Sequence, residues 1–169
     1  MSDETNGDRV QTEEKHPVRG TVRGDTVTVE RGAAGVVQAE HVELRSAGAG
    51  VVFASKDVTI ERGGARDIIA GGALRLSQGG AGIIFGAGDT SISQGGAGTL
   101  ISLGRTNIEQ GGAAVLATSS ATVGRGGVVL FAFTPRLVVA EGGRVLAGPA
   151  VALAAAALVL GGAIFLRRR

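Results

Sequence analysis

The chain has 169 residues, of which 30 are glycine, and it contains no cysteine. The lack of cysteine excludes disulfides and thiolate metal sites, and five phenylalanines without tyrosine or tryptophan argue against a bulky globular core. The net charge of +2 is not concentrated in Lys and Arg clusters with interleaved aromatic residues, so we expect no nucleic-acid partner.

Residues 1–17 form a polar leader. The segment contains five acidic residues and two basic ones, Arg9 and Lys15, and it shows no apolar periodicity. We therefore predict that residues 1–17 are disordered.

Residues 18–147 form the predicted repeat domain, which divides into blocks of about 16 residues. Six consecutive blocks carry Gly-Gly at their sixth and seventh places, as in Gly63-Gly64 and Gly79-Gly80. Self-similarity at a fixed period predicts a repeat architecture in which each unit stacks on its neighbours. The blocks begin at Val27, Val42, Val58, Leu74, Thr90, Thr106, Ala121 and Leu137.

The third and eleventh places of the blocks are apolar, and mostly polar residues flank the third place. This alternation predicts short strands with one buried face. Because one block is too small to bury its own apolar face, we predict an all-β fold, a single-chain β-solenoid (β-helix) of about eight rungs. The glycine pairs are expected to turn a corner with positive φ in every rung. The eleventh places are Val37, Val52, Ile68, Ile84, Leu100, Leu116 and Phe131.

The short apolar rungs with glycine corners, preceded by a charged leader, resemble the bactofilins, which are polymer-forming bacterial proteins. The resemblance is architectural and covers roughly residues 18–147. It implies a small β-solenoid between flexible termini, self-assembly and frequent association with membranes. The Gly-Gly-Ala-Gly sequence, as in residues 79–82, and the apolar segment near the C-terminus do not belong to that family's pattern.

Places ten and twelve flank the inward eleventh place and should point away from the core. Most of them are nevertheless apolar, which predicts one polar and one apolar face. We predict that the apolar face binds a second copy of the chain or a membrane, and the alternative is a cover supplied by the same chain. The predicted interaction face consists of Val36, Val51, Phe53, Ile69, Ile83, Phe85, Ile101, Val115 and Leu130.

The segment Val145–Leu166 contains 22 residues without a charge and precedes three arginines. Because this length suits the hydrocarbon thickness of a bilayer, we predict a transmembrane α-helix over residues 148–166 and a basic tail over 167–169. A helix that caps the solenoid is the alternative. The predicted membrane-anchor residues are Pro149, Leu153, Leu158, Leu160, Ile164, Phe165 and Leu166.

Two signals bear on the topology of this anchor, and they disagree. The arginines of residues 167–169 favour a cytoplasmic C-terminus by the positive-inside rule. The leader lacks the basic and apolar regions of a signal peptide, which favours a cytoplasmic solenoid. Since export of so long a domain without a signal is the harder step, we predict a single-pass membrane protein with its solenoid on the cytoplasmic side.

The ionisable residues do not form a catalytic arrangement. His16 and His41 stand apart from any cluster of carboxylates, so we predict no enzymatic activity, no metal site, no cofactor and no small-molecule substrate. The leading hypothesis is a membrane-anchored structural protein that forms homo-oligomers through its apolar face. The alternative is an envelope or surface repeat module that binds a ligand through its polar face. A solvated ladder on the polar face is expected from Glu30, Glu43, Glu61 and Glu109.

Overall fold

The computed structural model describes residues 9–12 and 18–148, and all regular elements in these ranges are β-strands. Their pairings are parallel, and they form a β-solenoid of about eight turns, as the sequence predicted. Residues 149–169, and with them the predicted transmembrane helix, lie outside the described residues. The strands are β1 (Arg9–Thr12), β2 (Val18–Glu30), β3 (Ala33–Arg45), β4 (Gly48–Ala54), β5 (Val58–Glu61), β6 (Gly64–Ala70), β7 (Leu74–Ser77), β8 (Gly80–Gly86), β9 (Thr90–Ser93), β10 (Gly96–Glu109), β11 (Gly112–Val123), β12 (Val128–Phe133), β13 (Leu137–Val139) and β14 (Arg144–Ala147).

A typical rung contains a short strand at places one to four and a longer strand at places seven to thirteen. In the rung that begins at Val58, these strands are β5 and β6. In β3, β10 and β11 the long strand continues into the next short strand without a break. Equivalent places pair from one rung to the next, so Ile60 pairs with Leu76 and Ile68 pairs with Ile84.

The core consists of the predicted inward columns at the third and eleventh places. Each of the central members is at most 1% exposed, and burial of such a side chain contributes about 1.5–3 kcal/mol. A further inward column at the first place includes the fully buried Val58 and Leu74, and alanines at the eighth place, such as Ala65 and Ala97, also line the interior. The central members are Ile60, Leu76, Ile92 and Ile108 at the third place, and Ile68, Ile84, Leu100 and Leu116 at the eleventh.

Polar side chains enter the core in the C-terminal half of the solenoid. At the thirteenth place, buried Ser102, Thr118 and Thr134 follow the alanines of earlier rungs and Gly86. Thr106 Oγ1 donates a hydrogen bond to Thr118 Oγ1 at 3.1 Å, and Thr118 Oγ1 donates to the carbonyl of Gly104 at 2.8 Å. These bonds offset the cost of removing the two hydroxyls from water.

The corners after the short strands correct the prediction for glycine. In six rungs the positive φ belongs to the fifth place, with values from 50° to 54°, and in four of them a glycine pair follows. The first glycine of a pair instead allows the backbones of successive rungs to approach closely, because a Cβ at Gly79 would collide with the carbonyl oxygen of Gly63 in the preceding rung. The prediction of positive φ at the glycine pairs is wrong for the four of these rungs that contain such a pair. The residues with positive φ are Arg31, Ser46, Arg62, Gln78, Gln94 and Gln110.

The last two corners differ from the others. Here glycine does adopt positive φ, at Gly126 (71°) and Gly142 (85°). The corner that contains Gly126 also holds one additional residue, so that Val128 pairs with Gly112 at the seventh place. The positive φ at glycine was therefore predicted correctly only where the corner is longer.

The additional corner residue shifts the register of β12. The prediction that Phe131 points inward is wrong, because Phe131 pairs with Val115 at the tenth place and is 50% exposed. Ala132 takes the eleventh place instead and is 1% exposed. Phe133 follows at the twelfth place, outside the core.

The stack extends beyond the first predicted block at its N-terminal end. Strand β1, Arg9–Thr12, lies within the predicted disordered leader and pairs with residues Thr26 to Val29 of β2. Strand β2 in turn pairs with β3 from Val18 to Glu30. The other residues of the leader lie outside the described ranges.

Candidate interaction face

The outward residues of the long strands form two columns, which we call the apolar face. Parallel pairing in register stacks equal places about 4.8 Å apart, so each column is continuous along the solenoid. The tenth-place column contains Val36, Val51, Asp67, Ile83, Thr99, Val115 and Phe131. The twelfth-place column contains Phe53, Ile69, Phe85, Ile101, Ala117 and Phe133.

All nine residues of the predicted interaction face lie outside the buried core. Ile83 is 52% exposed and Phe85 is 40% exposed, whereas Val36, Val51 and Val115 are half-buried. The apolar face therefore presents large side chains to solvent over several consecutive rungs.

Two members of the apolar face at its C-terminal end were not predicted from the sequence. Leu130 is exposed as predicted, but the longer corner moves it to the ninth place, between Val129 and Phe131. Phe131 and Phe133 occupy the tenth and twelfth places and are 50% and 49% exposed. Their alternation around Ala132 was the available signal, because a small residue between two phenylalanines suits an inward place in a narrow core.

A shallow groove of about 420 Å³ lies beside the tenth-place column. Glycine and alanine line most of it, including Gly80, Gly96 and Gly112 at the seventh place, and Val128 and Leu130 border it. Strand positions without a side chain let another backbone or sheet approach closely. The groove thus widens the apolar face by a strip of small residues.

Toward the N-terminus the apolar face gives way to polar residues. The twelfth-place positions before Phe53 are Arg23 and Gln38, and Arg23 Nε donates a hydrogen bond to Gln38 Oε1 at 3.1 Å. With Asp25 and Glu40 these side chains line a concave region of about 560 Å³ that ends against Phe53. The apolar face is therefore bounded at one end.

One carboxylate interrupts the apolar face. Asp67 pairs with Val51 on one side and Ile83 on the other, and its Oδ2 lies 3.2 Å from Nε of Arg66. The side chain of Arg66 is largely in solvent. A charge at the tenth place is thus compatible with the fold, because this place lies outside the core.

The short strands carry the opposite, polar face. Three of the four glutamates predicted to form a solvated ladder surround Arg45, whose guanidinium nitrogens lie 2.6 Å from Glu43, 3.9 Å from Glu30 and 4.0 Å from Glu61. The fourth, Glu109, accepts a hydrogen bond from a neighbouring asparagine amide at 3.2 Å. All these side chains remain partly exposed, so each ion pair contributes little to stability.

The corners with positive φ carry a ladder of side-chain amides. Gln78 Nε2 donates to Gln94 Oε1 at 3.0 Å, and Gln94 Nε2 donates to Gln110 Oε1 at 3.0 Å. All three residues have positive φ, a conformation that is unfavourable for a residue with a Cβ. The ladder compensates part of that cost by joining three successive rungs.

Aspartates at the sixteenth place bind the following rung. Asp89 Oδ1 accepts the backbone N–H of Arg105 at 2.8 Å, and Oδ2 accepts the Arg105 guanidinium at 2.8 Å. These bonds, the backbone one first, lower the pKa of Asp89 below its ordinary value. Asp57 Oδ1 accepts the backbone N–H of Ala73 at 2.7 Å in the same way.

His41 was considered as a catalytic group in the sequence, and it does not lie in a cluster of ionisable side chains among the residues that the structure describes. His41 Nε2 lies 3.8 Å from Asp57 Oδ2, and both side chains are about half exposed. Among residues 9–12 and 18–148, no group of three or more His, Asp and Glu side chains could hold a metal ion.

Residues 9–12 and 18–148 include no helix with the length and apolar character needed to cross a membrane. The predicted anchor, from Pro149 to Leu166, lies outside the described residues.

Comparison with protein-family models, with curated proteins and with solved structures finds no match to this chain.

Proposed function

We propose that this chain is a membrane-anchored structural protein, without catalytic activity, whose solenoid self-associates through the apolar face. The observation that carries the proposal is the contrast within strand β8. Ile84 is fully buried in the core, yet its neighbours Ile83 and Phe85 are 52% and 40% exposed. Contact between two such faces would remove apolar surface from water, which is favourable.

The size of the apolar face favours an association that is weak in solution. About seven rungs at ~4.8 Å give a length of ~30 Å, and two columns ~7 Å apart are ~10 Å wide with their side chains, so the strip covers roughly 300–400 Å². Two such strips bury well under the ~1,200 Å² of a stable soluble interface. Confinement of the chains on a membrane raises their effective concentration and makes a weak contact sufficient.

Membrane anchoring is supported by the sequence after the last rung. The 22 residues of Val145–Leu166 carry no charge, and this segment begins within strand β14. A length of this kind suits a bilayer span. The resemblance to bactofilins, many of which associate with membranes, points the same way.

The test compares two double variants of the full chain in lipid vesicles. Ile83→Lys with Phe85→Lys places two charges on the apolar face, and Ser91→Lys with Ser93→Lys places two charges on the polar face of the next short strand. Donor and acceptor dyes on a cysteine introduced at Ser2 report association by energy transfer. Vesicle flotation reports anchoring, and circular dichroism checks the fold.

We expect the apolar-face variant to lose most of the energy transfer while it still floats with vesicles, because Lys cannot be buried unpaired at an interface. The polar-face variant should retain the wild-type signal. Equal energy transfer in both variants would contradict self-association through the apolar face. Loss confined to the polar-face variant would contradict it too and would favour a module that uses its polar face.

A further inference from the structure

The C-terminal end of the solenoid differs from the rest of its surface. Seven of the thirteen exposed large hydrophobic side chains of the described residues lie between residues 128 and 146. Leu146 is 71% exposed, Val138 58% and Val139 45%. Val138 and Leu146 lie on β13 and β14, beyond the two columns of the apolar face. Val139 pairs with Val123 and ends the inward third-place column, so it corrects the prediction that every third place is buried: no strand of the described residues pairs with the other edge of β13. The end of the stack is therefore apolar on more than one side.

The second-place column on the polar face makes this change visible. Each position before the last rung is polar, and the final member, Val138, is apolar. The core does not require this change, because the second place points outward in every rung. From first to last, the column reads Thr28, Glu43, Thr59, Arg75, Ser91, Asn107, Thr122 and Val138.

Charge is also distributed unequally. Residues 18–109 carry nine basic and nine acidic side chains, whereas residues 110–148 carry Arg125, Arg136 and Arg144 against Glu141 alone. The three arginines are exposed, and the ion pairs found within residues 18–148 do not include them. Exposed arginines beside apolar side chains match a surface of anionic lipid headgroups above acyl chains.

We infer that the last rungs of the solenoid insert into the headgroup region of an anionic bilayer, with Val138, Val139 and Leu146 in contact with lipid. The inference rests on the membrane association proposed above but not on self-association. Continuity with the uncharged segment Val145–Leu166, which begins in this same end, selects a lipid surface as the partner.

The depth of insertion follows from backbone chemistry. Among the described residues, β13 pairs only with β11 and β14 only with β12, so each has one edge without a strand partner. Unpaired N–H and C=O groups are too costly for the hydrocarbon interior, where water cannot satisfy them. The end therefore lies among the hydrated headgroups, and only its side chains reach the acyl boundary.

The test uses spin labels on the full chain in phosphatidylcholine vesicles with and without phosphatidylserine. Because the chain has no cysteine, each introduced cysteine carries the sole label. Val138→Cys and Leu146→Cys label the end at two independent positions, and Ser91→Cys labels the same column as Val138 in the middle of the stack. Collisions with oxygen and with a water-soluble nickel chelate measure immersion.

In vesicles that contain phosphatidylserine, we expect the nickel chelate to reach labels at residues 138 and 146 several-fold less than a label at residue 91, with oxygen showing the reverse order. Removal of phosphatidylserine should weaken the difference. Equal access of the chelate at all three positions in floating vesicles would overturn the inference. Protection from both reagents, with spin–spin broadening that disappears on dilution with unlabelled protein, would assign the end to a second copy and also overturn it.

Self-association is measured independently of membrane insertion. A label at Thr99, on the apolar face, reports contact between solenoids through spin–spin broadening, whatever the depth of residues 138 and 146. Protein that does not float with vesicles would overturn both the insertion and the proposed anchor.

Discussion

Strands β8 and β9 follow one another in the chain and bury equivalent side chains, but they expose opposite chemistry. Ile84 in β8 and Ile92 in β9 are both fully buried. On the outside, β8 presents Ile83 and Phe85, whereas β9 presents Ser91 and Ser93. The core places the same demand on both strands, so the apolar character of the outer side of β8 is not a requirement of folding. We therefore expect a partner to contact the outer side of β8.

The largest effect on stability is expected for a substitution in the core, compared with one at the adjacent outward residue. Ile84→Lys buries an unpaired charge and should lower the free energy of unfolding by at least about 4 kcal/mol. Ile83→Lys changes the adjacent outward residue and should alter it by no more than about 0.5 kcal/mol. Urea unfolding in detergent micelles, followed by circular dichroism, measures both. If Ile83→Lys costs as much as Ile84→Lys, the apolar face is covered by its own chain and is not available to a partner.

A smaller effect is expected at the corner between the two kinds of strand. Gly79→Ala should destabilise the solenoid by about 2–3 kcal/mol, because its Cβ meets the backbone of the preceding rung. Gly80→Ala is the matched control, since the nearest atom to a Cβ there, the carbonyl oxygen of Gly96, is 3.7 Å away. This control should be neutral or slightly stabilising, because alanine reduces the entropy of the unfolded chain. Thermal unfolding compares the two, and equal losses would show that the corner does not depend on close approach.

The smallest effect concerns the polar side and its dependence on pH. The pKa of Asp89 is lowered in the folded protein, so its carboxylate contributes stability that is present above its ordinary pKa of 3.8 and is lost as the pH falls through the lower folded value. Asp89→Asn removes this contribution. The melting temperature should fall by less than about 2 °C at neutral pH, because the group is exposed. At a pH below the lowered pKa of Asp89 in the folded protein, the variant and the wild type should converge, and a difference that persists there would rule out the charge as its cause.

The inward columns were predictable because the period alone decides which residues share a side of a strand. Ile92 and Leu100 are apolar residues flanked by outward places, and the stacking of blocks leaves them no other location. The outward position of Ile83 and Phe85 followed from the same alternation. What those residues contact does not follow from periodicity, because the partner is not encoded in the spacing.

The corners were not predictable from the same pattern. A Gly-Gly pair can serve a corner through its conformational freedom or through the absence of a side chain, and the sequence does not distinguish the two. The carbonyl of Gly63, which lies against Gly79, shows that the corner requires the absence of a side chain. The register error at Phe131 has a different origin. The block that begins at Ala121 keeps the usual length, because its additional corner residue is balanced by a short turn between Thr134 and Leu137. Two compensating changes are invisible to a count of residues.

The parallel register described above also bears on how such a chain lengthens. Each rung receives from its predecessor the same backbone bonds that it offers to its successor, as Leu76 shows by pairing with Ile60 on one side and with Ile92 on the other. Duplication of a single block in the gene would therefore insert a rung without a new loop or a new core, and it would extend both outward columns by ~4.8 Å. The extent of the apolar face is thus a quantity that evolution can adjust in single steps, independently of the stability of any one rung.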